Sequence, residues 1–238
     1  MIEVCGLVKS FGANKVLKNI NLRVEDGELL VILGESGSGK SVLLQHLIGL
    51  LKPDHGSVNI DGTDITRLSE NKLLKVRRNI GYLFQEGALY DFMSVYENVA
   101  FPLREHTSLK RAEIRQKVSG ILKIVDLEQA ADKFPSELSG GMKKRAALAR
   151  SIILDSKILL CDEPTSGLDP IRSRQICDLI KNISRQFKCT TVVTSHDIPN
   201  SFRIADRMVI IRDGEIVAMG TKQQISSLED KFVQEFIH

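Results

Sequence analysis

The run Gly34-Glu35-Ser36-Gly37-Ser38-Gly39-Lys40-Ser41 most narrowly defines a chemistry in this sequence of 238 residues. It fits the pattern G-x-x-x-x-G-K-[S/T]. A triphosphate is bulky and anionic, and glycines let a backbone curl round it with amide N–H groups turned inward. Lys40 can reach the β- and γ-phosphates, and the Ser41 hydroxyl can reach a Mg2+ ion beside them. Such a loop needs a strand to aim it and a helix whose N-terminal dipole favours the anion. Both are present. The apolar run Leu29–Leu33 precedes the loop, and an apolar-periodic stretch at 42–51, beginning at Val42, reads as the helix after it.

Two further constellations add to this. Residues 158–161, Ile-Leu-Leu-Cys, form an apolar strand that ends in Asp162-Glu163. Asp162 at the strand end can hold Mg2+ through water. Glu163, one residue on, stands where a carboxylate could polarise a water attacking the γ-phosphate. Alone, the pair would read more readily as two solvated acids; the phosphate loop gives them a substrate. Leu138-Ser139-Gly140-Gly141-Met142 opens a third site. Ser139 is a good helix N-cap, and the two glycines free backbone amides at a helix start. That makes a second anion site, far from the first in sequence.

The elements that must position these residues can be traced along the chain. Residues 22–25 and 28–33 are strand-like, and Asp26-Gly27 between them is a hairpin signal. Short strands follow at 58–60 and 80–84. From 85 to 149 the texture is helical, with Ile114, Val118, Ile121, Leu122 and Val125 on one helical stripe. Strands return at 158–161, 190–194 and 208–211, a helix reads at 171–187, and Asp213-Gly214 is a second hairpin signal. Strands alternating with helices imply a largely parallel sheet covered on both faces.

Composition sets limits. Hydrophobic residues at 42% and charged residues at 26% belong to a folded globular chain, and a net charge of +3 does not call for nucleic acid. No apolar run approaches the roughly 18 residues of a membrane span. No signal peptide is expected from Met1-Ile2-Glu3-Val4-Cys5. The four cysteines form no CxxC pair and read as reduced structural thiols.

Leu-Ser-Gly-Gly upstream of the 158–163 strand resembles the signature of ABC ATPases. The resemblance implies an α/β fold of P-loop NTPase type: a mainly parallel core sheet, an N-terminal antiparallel β-subdomain and an inserted helical subdomain. It places one ATPase domain over 1–238, with the sheet lobes near 1–84 and 150–238 and the helical subdomain near 85–149. It implies ATP and Mg2+ as ligands, and an ATP-sandwiched homodimer in which the phosphate loop of one copy, Gly34 to Ser41 with Val42, faces Ser139, Gly140 and Gly141 of the other. It also implies roles for four more residues. Phe11 would lie against adenine, Gln85 would touch Mg2+ with Ser41 and Asp162, Asp169 in Ser166-Gly167-Leu168-Asp169 would belong to the D-loop, and His196 would contact the γ-phosphate. Lys40, Glu163 and His196 are the catalytic candidates. Three positions depart from the family pattern: Met142 for glutamine, Val42 for threonine, and Glu35 bringing a negative charge to the loop. His46, His55, His106 and His238 match no site.

The segment from Phe84 to His106 is similar to the ATPases of MCE-associated, Mla-type lipid transporters. That implies a membrane permease, an MCE-domain protein and a STAS-domain protein as partners, and peripheral placement on the cytoplasmic face of the inner membrane. An importer or lipoprotein-releasing ATPase would share the chemistry. DNA-repair and translation ABC proteins need long coiled-coil insertions or two cassettes, and kinases and GTPases lack Leu-Ser-Gly-Gly. Apolar residues after Gln85, and the terminal stripe Leu228, Phe232, Val233, Phe236 and Ile237, would either pack the chain's own core or dock a partner. Replacing Lys40 by alanine removes positive charge from the transferring phosphate, so turnover at saturating Mg-ATP is expected to fall by about 10²-fold or more. Near-wild-type turnover from clean protein would contradict the role given to Lys40.

Overall fold

The computed structural model describes residues 1–237; His238 lies outside them. The chain builds two sheets. The first is antiparallel and contains β1 (Ile2–Phe11), β2 (Asn14–Val24), β4 (His55–Ile60) and β5 (Thr63–Asp64) in the order β2-β1-β4-β5. The second contains β3 (Leu29–Leu33), β6 (Ile80–Leu83), β7 (Ile158–Asp162), β8 (Thr190–Ser195), β9 (Arg207–Arg212) and β10 (Glu215–Gly220), in the order β10-β9-β3-β8-β7-β6. Its strands are parallel except β10, which returns antiparallel on β9 through the Asp213-Gly214 turn. The helices are α1 (Lys40–Leu47), α2 (Glu70–Arg77), α3 (Val95–His106), α4 (Arg111–Ile124), α5 (Gly140–Ile152), α6 (Pro170–Phe187), α7 (Ile198–Ile204), α8 (Lys222–Ser226) and α9 (Lys231–Ile237).

The central strand shows why the layers form. Every residue of β3 is buried, as parallel strands covered on both faces require. Successive side chains point to opposite faces. Leu29, Val31 and Leu33 enter a core shared with α3, α4, α5 and α6. Leu30 and Ile32 enter a second core with Leu43, Leu44 and Leu47 of α1 and with Ile2, Val4 and Leu22 of the antiparallel sheet. Each fully buried Leu or Ile contributes about 1.5–3 kcal/mol. The carboxyl ends of β3, β6, β7 and β8 therefore share one edge, where open α/β sheets bind ligands.

Several local expectations change. Asp26-Gly27 is a turn, closed by the Glu25 amide donating to Glu28 Oε2 at 2.7 Å, but not a hairpin. The strands it joins lie in different sheets: β2 pairs with β1, while β3 already has β8 and β9 on its two edges. The first helix is shorter than 42–51 and starts two residues earlier. It stops at Leu47 because Gly49, at φ +67, turns back and donates to His46 O. Residues 85–94 are loop; the helical texture begins at Val95 and runs through residue 150 inside α5. The stripe from Ile114 to Val125 is buried as its period implied. At the C-terminal end Val233 is buried and Phe232, Phe236 and Ile237 pack on the chain's own first core, whereas Leu228 is exposed. Arg212 sits 4.1 Å over the Phe232 ring.

The thiols follow the layers. Cys161, Cys177 and Cys189 are buried and unpaired, and Cys5 is exposed. Burial raises the pKa of all three buried thiols, that of Cys177 to about 12. A native-state titration with a thiol reagent at pH 8 is expected to find only Cys5 reacting fast, with the other three appearing on unfolding. The raised pKa values stabilise the fold fully below pH 9. That contribution is lost as pH climbs from 9 through the folded values, so Tm should fall across this window. Fast reaction of two or more thiols in the folded protein would contradict this burial pattern.

Candidate functional site

The loop from Gly34 to Ser41 is shaped by close approach. Gly39 caps α1 at φ +102, and a Cβ there would stand 2.8 Å from Leu17 Cδ2 and 3.0 Å from the Val16 carbonyl. A Cβ on Gly34 would lie 2.5 Å from the Ile211 carbonyl and 2.6 Å from Ser38 Oγ. Lys40 is only 5% exposed. Its ammonium group donates to the carbonyls of Gly34 at 2.9 Å and Glu35 at 3.0 Å, and lies 3.2 Å from Glu163 Oε1. Glu35 offers its backbone carbonyl to Lys40 while the residue itself is exposed at the edge of the cleft. Ser38 Oγ is buried without a partner. That hydroxyl lies against the Gly34 backbone and not in the cleft, where Lys40 supplies the positive charge that fits a phosphate oxyanion.

The carboxylates stand beside this loop because strand registers align. Asp162 is level with Thr194 and Leu33 with Ser195. Asp162 Oδ1 accepts from Ser41 Oγ and from Thr194 Oγ1, both at 2.8 Å. Its Oδ2 faces the Tyr82 hydroxyl at 3.4 Å. Burial, reinforced by the Asp162 charge, pushes the Tyr82 pKa up and keeps it a donor. A buried carboxylate beside a serine hydroxyl is a hard oxygen pair that suits Mg2+. Glu163 has a left-handed backbone, φ +44, fixed by its amide donating to Thr194 Oγ1 at 3.0 Å. Its carboxylate is held between Lys40 and His196, whose Nδ1 is 2.7 Å from Oε2.

A cleft of about 490 Å³ gathers Glu35, Ser36, Gly37, Gly39, Lys40, Ser41, Val42, Gln85, Glu163 and His196. Val16 also lines it, a residue whose type gave no signal. Phe11 does not line the cleft; it is 48% exposed at the β1–β2 turn, with Lys9 5.5 Å over its ring. Thr194 and Tyr82 were equally silent, being ordinary strand residues until the registers bring them to Asp162. Ser139 caps α5, accepting from the Met142 amide at 3.4 Å, and Asp169 caps α6, accepting from Ile171 and Arg172 at 3.1 and 3.0 Å. The Arg172 amide holds the Asp169 carboxyl below the usual range. Neither residue, nor Gly140 or Gly141, lines this chain's own cleft.

Residues 17–166 match the family described as ABC transporter. The chain belongs to the ABC transporter family. It is 44% identical to the intermembrane phospholipid transport system ATP-binding protein MlaF of Haemophilus influenzae, over all of this chain and 90% of that protein. It is 42% identical to MlaF of Escherichia coli K12, over 95% of this chain and 84% of that one. It is also 44% identical to the probable ribonucleotide transport ATP-binding protein mkl of Mycobacterium leprae, and spans 68% of it. A dimeric ATP-binding cassette solved in a post-hydrolysis state with ADP and Pi superposes at a TM-score of 0.86, with 34% identity over 93% of this chain and 98% of that one. This ABC protein binds and hydrolyses ATP.

The Glu163 position makes a direct test. In Glu163→Gln the amide keeps the shape but cannot take a proton, so hydrolysis should fall by about 10²-fold or more while ATP binding persists. Steady-state phosphate release and binding of a fluorescent ATP analogue measure the two separately. Unchanged phosphate release would remove Glu163 from the chemistry.

Proposed function

We propose that this chain powers phospholipid transport across a bacterial envelope, seated on the cytoplasmic face of the inner membrane against a permease of the MCE-associated type. The observation that carries this reading is the end-to-end similarity to the two MlaF proteins. An MCE-domain protein and a STAS-domain protein complete the assembly in this reading. A second reading, a small-solute transporter, is favoured by the equal identity to mkl; that match leaves about a third of the relative uncovered.

In our reading Lys40 and the loop from Gly34 to Val42 hold the triphosphate, and Phe11, outside the residues that line the cleft, lies against adenine. Ser41, Asp162 and Gln85 hold Mg2+, which supplies charge neutralisation on the phosphates. Glu163 orients and deprotonates the attacking water, and His196, now bonded to Glu163, turns to the γ-phosphate. Ser139, Gly140, Gly141 and Asp169 of a second copy close the site, which accounts for their absence from their own cleft. Residues 85–149 move as one lobe against 1–84 and 150–238.

Beside the cleft lies a groove of about 560 Å³ lined by Tyr82, Phe84, Tyr90, Phe101 and Arg150 among others. Phe84 lines the groove and the next residue, Gln85, lines the cleft, so one peptide links the two. Buried Asn98 fixes the adjoining loop, donating to the carbonyls of Tyr90, Met93 and Ser94 and accepting from the Tyr90 amide. Val95 and Leu89 pack the helical core, whereas Phe92 is 74% exposed beside Tyr90. An apolar helix end of the permease fits this surface. Phe92→Asp is expected to leave basal ATPase within about two-fold and to abolish co-purification with the permease. The lipid reading fails if the wild-type complex contains a permease, lacks an MCE-domain protein and hydrolyses ATP at a rate indifferent to phospholipid.

A further inference from the structure

We propose that Lys144 is a positioning residue for hydrolysis, which holds the loops after β6 and β7 in register with the Glu163 carboxylate and ties that register to the position of α5. Lysine is almost never buried without a compensating partner. Lys144 is 7% exposed and, among the described residues, shares that degree of burial with only one other lysine, Lys40. Its ammonium group donates to the Gln85 carbonyl and to Ser166 Oγ, the latter at 3.3 Å. Gln85 follows β6 and Ser166 follows β7. These strands pair in parallel up to Leu83 opposite Cys161, so both loops leave the same edge of the sheet, the second of them opening with Glu163. One cation therefore bridges the two loops that flank Glu163.

Carboxylates stand near this buried ammonium. Burial lowers the Lys144 pKa, and the charges of Glu86, Glu163 and Asp162 oppose that shift, in that order. Among the described residues its hydrogen-bond partners are the neutral Gln85 carbonyl and Ser166 hydroxyl. A neutral apolar side chain of equal length would leave the Gln85 carbonyl and the Ser166 hydroxyl without this donor.

The position on α5 adds the second half of the argument. Lys144 is five residues from Ser139, in the helix that begins with Gly140 and Gly141. One end of that helix presents amides away from the chain's own cleft, while Lys144 reaches back to its own Gln85 and Ser166. Arg150 makes a parallel link farther along, donating to the carbonyls of Ala88 at 2.8 Å and Gly87 at 3.0 Å. Any displacement of α5 by a phosphate bound at its N-terminus is thereby passed to the Glu163 neighbourhood. This inference rests on the ATPase chemistry of the chain and is independent of its cargo.

The test uses the purified full chain. Lys144→Met is expected to lower kcat about ten-fold, the loss of one charge-assisted hydrogen bond, with KM for ATP within two-fold of wild type. Lys144→Arg, which can donate to both acceptors, is expected to restore kcat to within about three-fold. Lys144→Gln replaces the methionine variant if that one is insoluble. Lys40→Ala in parallel reports whether the ATPase signal itself is genuine. An unchanged kcat in Lys144→Met or Lys144→Gln overturns the proposal. So does a kcat loss that tracks a fall in Tm and is not restored by arginine, because a purely structural tether would behave that way.

Discussion

An ammonium group taken out of water costs several kcal/mol unless carbonyls and carboxylates replace its lost hydration. Lys40 imposes that constraint, and the architecture around it supplies the replacements. The carbonyls of Gly34 and Glu35 come from the loop at the end of β3, and the carboxylate of Glu163 comes from the end of β7. Those oxygens converge only if β3 and β7 run parallel with their carboxyl ends level. Strand β8 lies between them and sets that level. The two cores on either side of the sheet hold this alignment against the ordering entropy of three separate loops.

Thr194 is the small part on which the alignment turns. Its hydroxyl donates to Asp162 and accepts from the Glu163 amide, so one side chain on the middle strand orders both acids of the neighbouring strand. Asp162 is then left with one oxygen toward Ser41 and the other toward Tyr82. The acids thus differ in character although they are adjacent. Asp162 is held by neutral donors and suits a fixed cation, while Glu163 is held by Lys40 and His196, partners that an incoming polyanion would compete for.

Much of this was legible because it is local. The residues from Gly34 to Ser41, the Asp162-Glu163 strand end and Ser139-Gly140-Gly141 carry their geometry in their own types. The period of Ile114 to Val125 was enough to predict a buried helical face. What could not be read depends on partners distant in sequence. Asp26-Gly27 has the chemistry of a hairpin turn, yet β3 is a central strand with both edges occupied, and nothing near residue 27 says so. Val16, Tyr82, Thr194 and Lys144 belong to types common on any strand or helix. Tyr82 and Thr194 become part of the site only through registers that pair residue 83 with 161 and 162 with 194, and Val16 and Lys144 only through packing between layers. The length of α1 was misjudged for a related reason: apolar residues continue past Leu47, but Gly49 reverses the chain before they can add another turn.

The backbone of Glu163 has a consequence for how this protein would respond to engineering. A glutamate at φ +44 sits in a region that disfavours side chains by about 1–2 kcal/mol. Glycine or asparagine would relax the backbone there, but either would also leave the buried Lys40 ammonium without its carboxylate, and the second effect is the larger. Backbone strain and charge compensation pull in opposite directions at a single Cα. A screen that rewards only thermal survival would therefore gain little by emptying this position of its carboxylate.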